Sequence, residues 1–310
     1  MAAGPPCPGT LMFTSSPTAF SHRPTPVREQ ALAALFVHRA AETDQLRRLL
    51  SPPPELRYFR HCLRDLQRQG VLSSVKRAHH PSVWSLTKDG AHLVANWPEF
   101  AGQRRVRRHT ALGARTAHTL AVTRTALAFV EDARRRGDEV TPLDWSPEVA
   151  HPVRDGAGDG DRALIADALL RYTRTAPTRA MLRAFVEVDR ATESSERLAS
   201  KVITYARFHN HVSVSGRREV ADVSGMRAWQ RTYPVFPRLL FVLTGAGRKA
   251  LLHRVADLRA LVREHPATAR FAEEVPSGAA VLEELETQGA SAAVWWPLDD
   301  RVGRRSWMEL

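Results

Sequence analysis

Residues Asp161–His209 read DRALIADALLRYTRTAPTRAMLRAFVEVDRATESSERLASKVITYARFH. This stretch contains two apolar runs, Ala163–Arg171 and Met181–Val188, each as long as a strand and joined by a polar connection with Thr and Pro. Acidic residues favour a helix that begins near Thr192, because a helix N-terminus carries a positive partial charge. The stretch therefore predicts two neighbouring strands followed by a helix.

Three carboxylates lie on the predicted strand pair: Asp167 on the first strand, Glu187 and Asp189 on the second. Side chains alternate across a strand, so Glu187 and Asp189 are expected on the same face. Carboxylates that are merely solvated at strand ends would produce the same sequence pattern. Asp and Glu are depleted from strands, however, so three of them on this strand pair favour a functional site. Hard oxygen ligands suit Mg²⁺ or Mn²⁺ and phosphodiester chemistry. We therefore expect Asp167 and Glu187 to bind the metal and Asp189 to assist.

The same residues resemble the restriction-endonuclease-like core, whose signature is an Asp followed, on the next strand, by an acidic residue, any residue and Lys. Asp167 and Glu187 match this pattern, but Asp189 stands in the place of the Lys. Lys201 and Tyr205 are four residues apart on the following helix and therefore share a face, as in a helix motif of some exonucleases of that superfamily. The resemblance implies that Lys201 and Tyr205 complete the catalytic group of a degenerate endonuclease. The alternative is a surface lysine beside a half-buried tyrosine.

Charge is distributed unevenly along the 310 residues. Residues 1–115 contain 17 Lys and Arg against 7 Asp and Glu, a net charge of +10, and the remainder of the chain carries the other +2 of the formal +12. A basic N-terminal portion indicates a polyanion as partner, and double-stranded DNA is the expected one. No segment has the length and apolar purity of a transmembrane helix, and the first residues lack the basic start of a secretory signal. With only Cys7 and Cys62, no disulfide framework is expected, and we expect a cytoplasmic protein.

The basic N-terminal portion predicts three helices and a hairpin. The third helix spans Glu55–Gln69, and the two strands of the hairpin span Val71–Arg77 and Ser82–Leu86. This is the outline of a winged helix-turn-helix, whose third helix lies in the major groove and whose hairpin contacts the DNA backbone. The predicted DNA contacts are Arg57, Arg60, His61, Arg64, Arg68, Lys76, Arg77, Arg104, Arg105, Arg107 and Arg108. The alternative is that these charges only form a solvated surface.

The second portion predicts the order helix, three strands, helix, strand, which is the order of the restriction-endonuclease-like core. We expect an α/β chain, α+β overall, with a strand at Val140–Trp145, a late helix at Gly278–Thr287 and a short strand at Ala292–Trp296. The expected segments are a disordered tail, a winged-helix DNA-binding domain, a basic linker, a restriction-endonuclease-like αβββαβ domain and a loose C-terminal tail. Their bounds are 1–24, 25–97, 98–113, 114–298 and 299–310.

Several motifs together resemble the replication-relaxation family. They are LRDLQRQGVL at Leu63–Leu72, WSLTKDGAHLV at Trp84–Val94, HTLAV at His118–Val122, ADALL at Ala166–Leu170 and FVEVDRATES at Phe185–Ser194, of which the last is the most specific. The resemblance implies a DNA-binding protein that supports replication and relaxation of a plasmid or other mobile element, with replication or transfer proteins as further partners. Two alternatives stay open: an active metal-dependent endonuclease that nicks DNA, and a winged-helix transcriptional regulator.

Overall fold

The computed structural model describes residues 26–77, 80–100, 115–153, 162–211 and 227–310. Two β-sheets and the helices around them make up these residues, which confirms the predicted mixed α/β class. The predicted tail at 1–24, the linker arginines Arg104, Arg105, Arg107 and Arg108, and the side chain of Arg77 lie outside the described part of the chain. Among the described helices, none combines the length and the apolar content that a membrane crossing needs.

The N-terminal portion consists of helices and a small antiparallel sheet with strand order β1-β3-β2. Its elements are α1 (Val27–His38), β1 (Ala41–Glu42), α2 (Thr43–Leu49), α3 (Leu56–Arg68), β2 (Leu72–Arg77), β3 (His80–Leu86) and α4 (Lys88–Ala95). The Glu55 carboxylate accepts the N–H groups of Arg57 and Tyr58 and so caps α3, and Gly70 follows its end with a positive φ. The predicted helices and hairpin are therefore present, while the winged-helix assignment stays a prediction.

The second portion is built on a six-stranded sheet with order β4-β5-β6-β7-β8-β9, in which β6, β7 and β8 are parallel and the other pairs antiparallel. Its elements are α5 (Thr116–Arg136), β4 (Trp145–Val153), β5 (Arg162–Arg174), β6 (Ala180–Asp189), α6 (Ser195–Asn210), β7 (Arg238–Leu243), α7 (Arg248–Glu264), α8 (Pro266–Glu274), β8 (Ser277–Val281), α9 (Leu282–Gln288) and β9 (Trp296–Pro297). From α5 to β7 the order is helix, three strands, helix, strand, as the sequence predicts.

The two faces of the large sheet are covered by different parts of the chain. On one face, Val186 of β6 belongs to the same hydrophobic cluster as Phe129 of α5 and Leu35 of α1. On the other face, Phe185 clusters with Leu198 of α6 and with residues of α7 and α8. Because α1 and α2 share a core with α5 and the sheet, the N-terminal portion can bring side chains to the edge of that sheet.

Three predicted elements begin at other places than the sequence suggests, and one of them, the strand expected at Ala292–Trp296, is the two-residue β9 at Trp296–Pro297. Half of the strand expected at Val140–Trp145 is a 3-10 turn at Pro142–Asp144, and β4 begins only at Trp145. The turn is held by its caps, because the Asp144 carboxylate accepts the N–H of Thr141 and the Thr141 hydroxyl accepts the N–H of Leu143. The helix expected at Gly278–Thr287 is preceded by β8, because the run Ser277–Val281 is fully buried between two strands and carries no periodicity that would reveal it.

The C-terminal end of the chain is packed, so the prediction of a loose tail at 299–310 is wrong. Trp307 is fully buried, and its ring meets Phe129 edge-on at 5.6 Å and Tyr172 at 5.1 Å between centroids. Its indole N–H donates to Ser291 Oγ at 3.2 Å. Burial of a tryptophan with a satisfied N–H is a large apolar contribution, which explains why the end of the chain is held against the sheet.

Candidate functional site

The predicted carboxylates of the two strands meet where β6 ends and the chain turns toward α6. Asp167 precedes the β5–β6 ladder, whose first pair is Ala168 and Val186. Its Oδ2 accepts the backbone N–H of Val188 at 2.8 Å. Continued by one residue, the register of this ladder sets Asp167 opposite Glu187, and the charge of Asp167 contributes to the raised pKa of Glu187. The proximity of Asp167 and Glu187 that the site requires is therefore present.

Helix α6 supplies both partners of Glu187. Tyr205 donates its hydroxyl proton to Oε1 of Glu187 at 2.6 Å, and Lys201 donates from Nζ to Oε2 at 3.2 Å. Residues four apart on a helix lie on one face, so one helix orientation brings both groups to the same carboxylate. Glu187 is only 3% exposed, and its two oxygens are satisfied by these contacts.

This environment changes the proton equilibria of the cluster. Burial and the charge of Asp167 raise the pKa of Glu187 to about 7, although Lys201 and Tyr205 act in the opposite direction. For Lys201 burial lowers the pKa, but the surrounding carboxylates outweigh it and raise the pKa above its ordinary value, so the ammonium keeps its proton. Burial and the Glu187 charge raise the pKa of Tyr205 well above 10, so the phenol stays a donor. The cluster therefore combines a fixed cation with a carboxyl group poised near neutrality.

Asp189 belongs to a different set of contacts. Arg254 of α7 donates to its Oδ2 at 2.6 Å, and its Oδ1 lies within 3.3 and 3.4 Å of the backbone N–H groups of Thr192 and Glu193. Its side chain is almost fully buried, so the ion pair with Arg254 offsets the cost of desolvating the carboxylate. Asp189 thus ties the loop before α6 to α7, and its predicted assisting role stays a prediction.

Sequence reasoning misses His118, which the structure adds to the site. His118 lies near the start of α5, and its Nε2 is 3.0 Å from Oδ1 of Asp167. The hydrogen bond with Asp167 raises the pKa of His118 against the effect of burial. Burial alone would raise the pKa of Asp167, but His118 and the Val188 N–H together lower it. The residue stands in the HTLAV motif, yet nothing in the sequence pairs it with an acid 49 residues away.

A cavity of about 510 Å³ lies over this cluster. Its wall combines cationic side chains from three parts of the chain: Arg39 beyond α1, Arg115 and His118 at the start of α5, and Lys201 of α6. The same wall carries the carboxylates of Glu148, Asp167, Asp189 and Glu193, so both signs of charge meet there. Another cavity, of about 560 Å³ and mostly apolar, lies between α1 and the Pro142 turn and contains none of the predicted carboxylates.

The predicted metal pair does not form a metal cage as placed. Among the described residues, no group of three or more His, Cys, Asp and Glu side chains is arranged to hold an ion. Each carboxylate oxygen of Asp167 and of Glu187 already has a hydrogen-bond partner in the protein. The Lys201 ammonium, which also lies 3.3 Å from Glu193, supplies the positive charge that a metal ion would supply there. Binding of Mg²⁺ or Mn²⁺ by Asp167 and Glu187 stays a prediction.

The predicted DNA-binding residues that the structure describes lie apart from the cavity. Arg57, Arg60 and Arg64 are exposed on α3, and Lys76 is exposed on β2. The other two, His61 and Arg68, are exposed as well, and both contact Asp65. The basic face of α3 is therefore a surface of its own.

Comparison with known proteins gives one family. A family model described as replication-relaxation matches residues 32–224, which is 193 of the 310 residues of the chain. No curated protein matches, and no solved structure matches. The matched range contains both the α3 face and the cluster of His118, Asp167, Glu187 and Lys201.

The pKa of Glu187 predicts a stability change that depends on pH. Between its ordinary value of 4.5 and about 7, the folded state holds a proton that the unfolded state has lost, so Glu187 lowers the free energy of unfolding as pH rises through this window. Glu187→Gln removes this contribution. The unfolding free energy of the variant minus that of the wild type is expected to increase by about 3 kcal/mol from pH 4.5 to pH 7, measured by denaturant titration. A difference that does not change with pH would contradict the burial of an ionisable Glu187.

Proposed function

We propose that this chain, which belongs to the replication-relaxation family, binds the double-stranded DNA of a plasmid or integrating element and supports its replication and relaxation. In this proposal the N-terminal portion grips the duplex, and the cluster around Asp167 holds a backbone phosphate. The observation that carries it is that a basic helix face and a cavity lined by Arg39, Arg115, His118 and Lys201 belong to one packed body.

The face of α3 supports the grip on DNA. Arg57, Arg60 and Arg64 follow one another at three- and four-residue spacing and therefore extend from one side of the helix. All three are exposed, and none of them forms an ion pair with another described residue. Guanidinium groups without a carboxylate partner are free to neutralise phosphates and release counterions.

The order of elements supports a winged-helix docking mode. In that mode α3 enters the major groove, and the hairpin of β2 and β3, which carries Lys76, contacts the backbone. Phosphate contacts set register and orientation, and base contacts set the sequence that is recognised. Arg57, Arg60 and Arg64 are the residues of α3 placed to make either kind of contact.

The cluster at the end of β6 supports a phosphate site. The raised pKa of Lys201 keeps its ammonium charged at physiological pH, and the pairing with Asp167 raises the pKa of His118. Both side chains line the cavity. Charged hydrogen bonds from a lysine to a phosphate are short and strong, so Lys201, with the His118 ring beside it, can orient a phosphodiester.

A second candidate, an endonuclease that nicks DNA, is favoured by the grouping of two carboxyl groups and a lysine. Glu187 lies in the field of Asp167, and Lys201, which could orient the attacking water or the phosphate, donates to Oε2 of Glu187. In this candidate Asp167 and Glu187 are the ligands of Mg²⁺ or Mn²⁺, and a bound ion would supply Lewis-acid chemistry. Such an ion has to displace Lys201 and His118 from the oxygens that they now contact.

DNA binding is tested by removing the α3 charges. In the triple variant Arg57→Ala, Arg60→Ala, Arg64→Ala, affinity for a duplex is expected to fall roughly 100-fold. The slope of log K against log salt concentration is expected to become shallower by the amount that corresponds to about three phosphate contacts. Filter binding over a salt series measures both. The matched control removes the same number of charges from α7 and α8, by Ala at Lys249, Arg263 and Arg270. Equal losses of duplex affinity in both triple variants, or a wild type that does not bind the duplex, would refute the proposal.

Nicking of supercoiled plasmid tests the second candidate. With Mg²⁺ or Mn²⁺ present, Asp167→Asn is expected to lower any nicking rate by at least about 100-fold, because it removes a charge from the cluster and the partner of His118. The control is Asp300→Asn, an 87% exposed carboxylate that pairs with Arg263. A wild type that does not nick, or nicking that persists in Asp167→Asn, removes the endonuclease candidate and leaves DNA binding in place.

A further inference from the structure

Arg39 brings a guanidinium from the N-terminal portion into the wall of the Asp167 cavity. The residue follows α1, and its Nη1 lies 2.5 Å from Oε1 of Glu148 on β4. Its Nε is buried and has no hydrogen-bond partner in the described structure. One carboxylate therefore satisfies only part of a group that carries five donors.

Both members of this ion pair have an unusual backbone. Arg39 has φ 66° and Glu148 has φ 47°, and the remaining non-glycine residue with positive φ in the described ranges is Ala191, two residues beyond Asp189. Such conformations are costly for residues with a Cβ and persist only where the surroundings hold them, which is common at functional sites. Arg39 and Glu148 both line the cavity.

The position of Glu148 links this pair to the carboxylate cluster. In the β4–β5 ladder Pro147 pairs with Ala168 and Val149 pairs with Ala166, so Glu148 and Asp167 fall between two regular pairs. The strained Glu148 thus stands across from the central acid of the site. It holds Arg39 at the cavity wall.

We propose that Arg39 is a phosphate-binding residue of this site, and that Glu148 keeps it in place until a phosphate of the DNA backbone replaces the Glu148 carboxylate. This inference rests on the proposed function and adds to it a residue from the N-terminal portion. A planar guanidinium fits a phosphate through two parallel hydrogen bonds. The unpartnered Nε supplies a further donor beside the one that Glu148 uses.

Unlike Lys201 and His118, Arg39 makes no contact with the carboxylates of Asp167, Glu187 and Glu193. Lys201 contacts both Glu187 and Glu193, and His118 contacts Asp167. Arg39 contacts Glu148 alone, whose side chain is 35% exposed, so solvent screens that pair. Exchange of this one carboxylate for a phosphate leaves the contacts within the cluster unchanged.

The experiment measures duplex affinity and its salt dependence for the full chain and four variants, with a fluorescent duplex as probe. Arg39→Gln is expected to weaken binding about tenfold and to reduce the salt slope by about one phosphate contact. Glu148→Gln is expected to tighten binding several-fold, because it releases Arg39 to the phosphate. The double variant Arg39→Gln, Glu148→Gln is expected to bind like Arg39→Gln alone. The matched control is Arg124→Gln, which breaks the ion pair of Arg124 with Glu286 between α5 and α9 at a similar exposure.

Thermal unfolding of each variant separates folding from binding, and Glu148→Gln keeps the test decisive if Arg39→Gln folds poorly. A Glu148→Gln variant that binds no tighter than the wild type, or an Arg39→Gln variant with the salt slope of Arg124→Gln, overturns the inference. If either of these results is found and the α3 triple variant still loses its affinity for the duplex, the proposed function stands and only the role of Arg39 is removed. A wild type that does not bind the duplex overturns both.

Discussion

The buried carboxyl group of Glu187 is the constraint on which the rest of this structure depends. A carboxylate taken out of water is costly unless hydrogen bonds and an opposite charge compensate it. Tyr205 and Lys201 provide both, and they do so from a single face of α6. This requirement fixes how α6 lies on the sheet, places the Lys201 ammonium at the edge of a cavity, and brings Glu187 into the field of Asp167.

Local periodicity is sufficient to predict which of these side chains lie together. The alternation of a strand sets Glu187 and Asp189 on one face, and the four-residue repeat of a helix sets Lys201 with Tyr205. The partners that were missed come from distant parts of the chain. His118 reaches Asp167 from 49 residues away, and Arg254 reaches Asp189 from 65 residues away, so both contacts depend on how helices pack on the sheet. Such packing leaves no short-range signal in the sequence.

The same limit explains the errors in the fold. Ser277–Val281 is a run of small and apolar residues without helical or strand periodicity, and only its position between β7 and β9 makes it a strand. Trp307 lies in a polar C-terminal segment whose sequence predicts a loose tail. Only the structure shows that Phe129 and Tyr172 pack against its ring. The order of helices and strands was predictable because each long element carries its own pattern.

The shared core of the two portions gives the proposed function its physical basis. Because α1 packs against α5 and β4, the turn after α1 delivers Arg39 to a cavity whose other walls belong to the large sheet. In the proposed function, the packing of these helices and strands sets the distance between a duplex on α3 and a phosphate at the cavity. In such an arrangement the geometry of DNA binding also sets the geometry at Lys201.

The measurement that tests this account most directly is a crystal structure of the chain with a short DNA duplex. The account predicts α3 in contact with the duplex and, on the same DNA, a backbone phosphate oxygen about 3 Å from Nζ of Lys201. A duplex that lies on α3 while no phosphate of it enters the cavity, or one that binds without contacting α3, would contradict it.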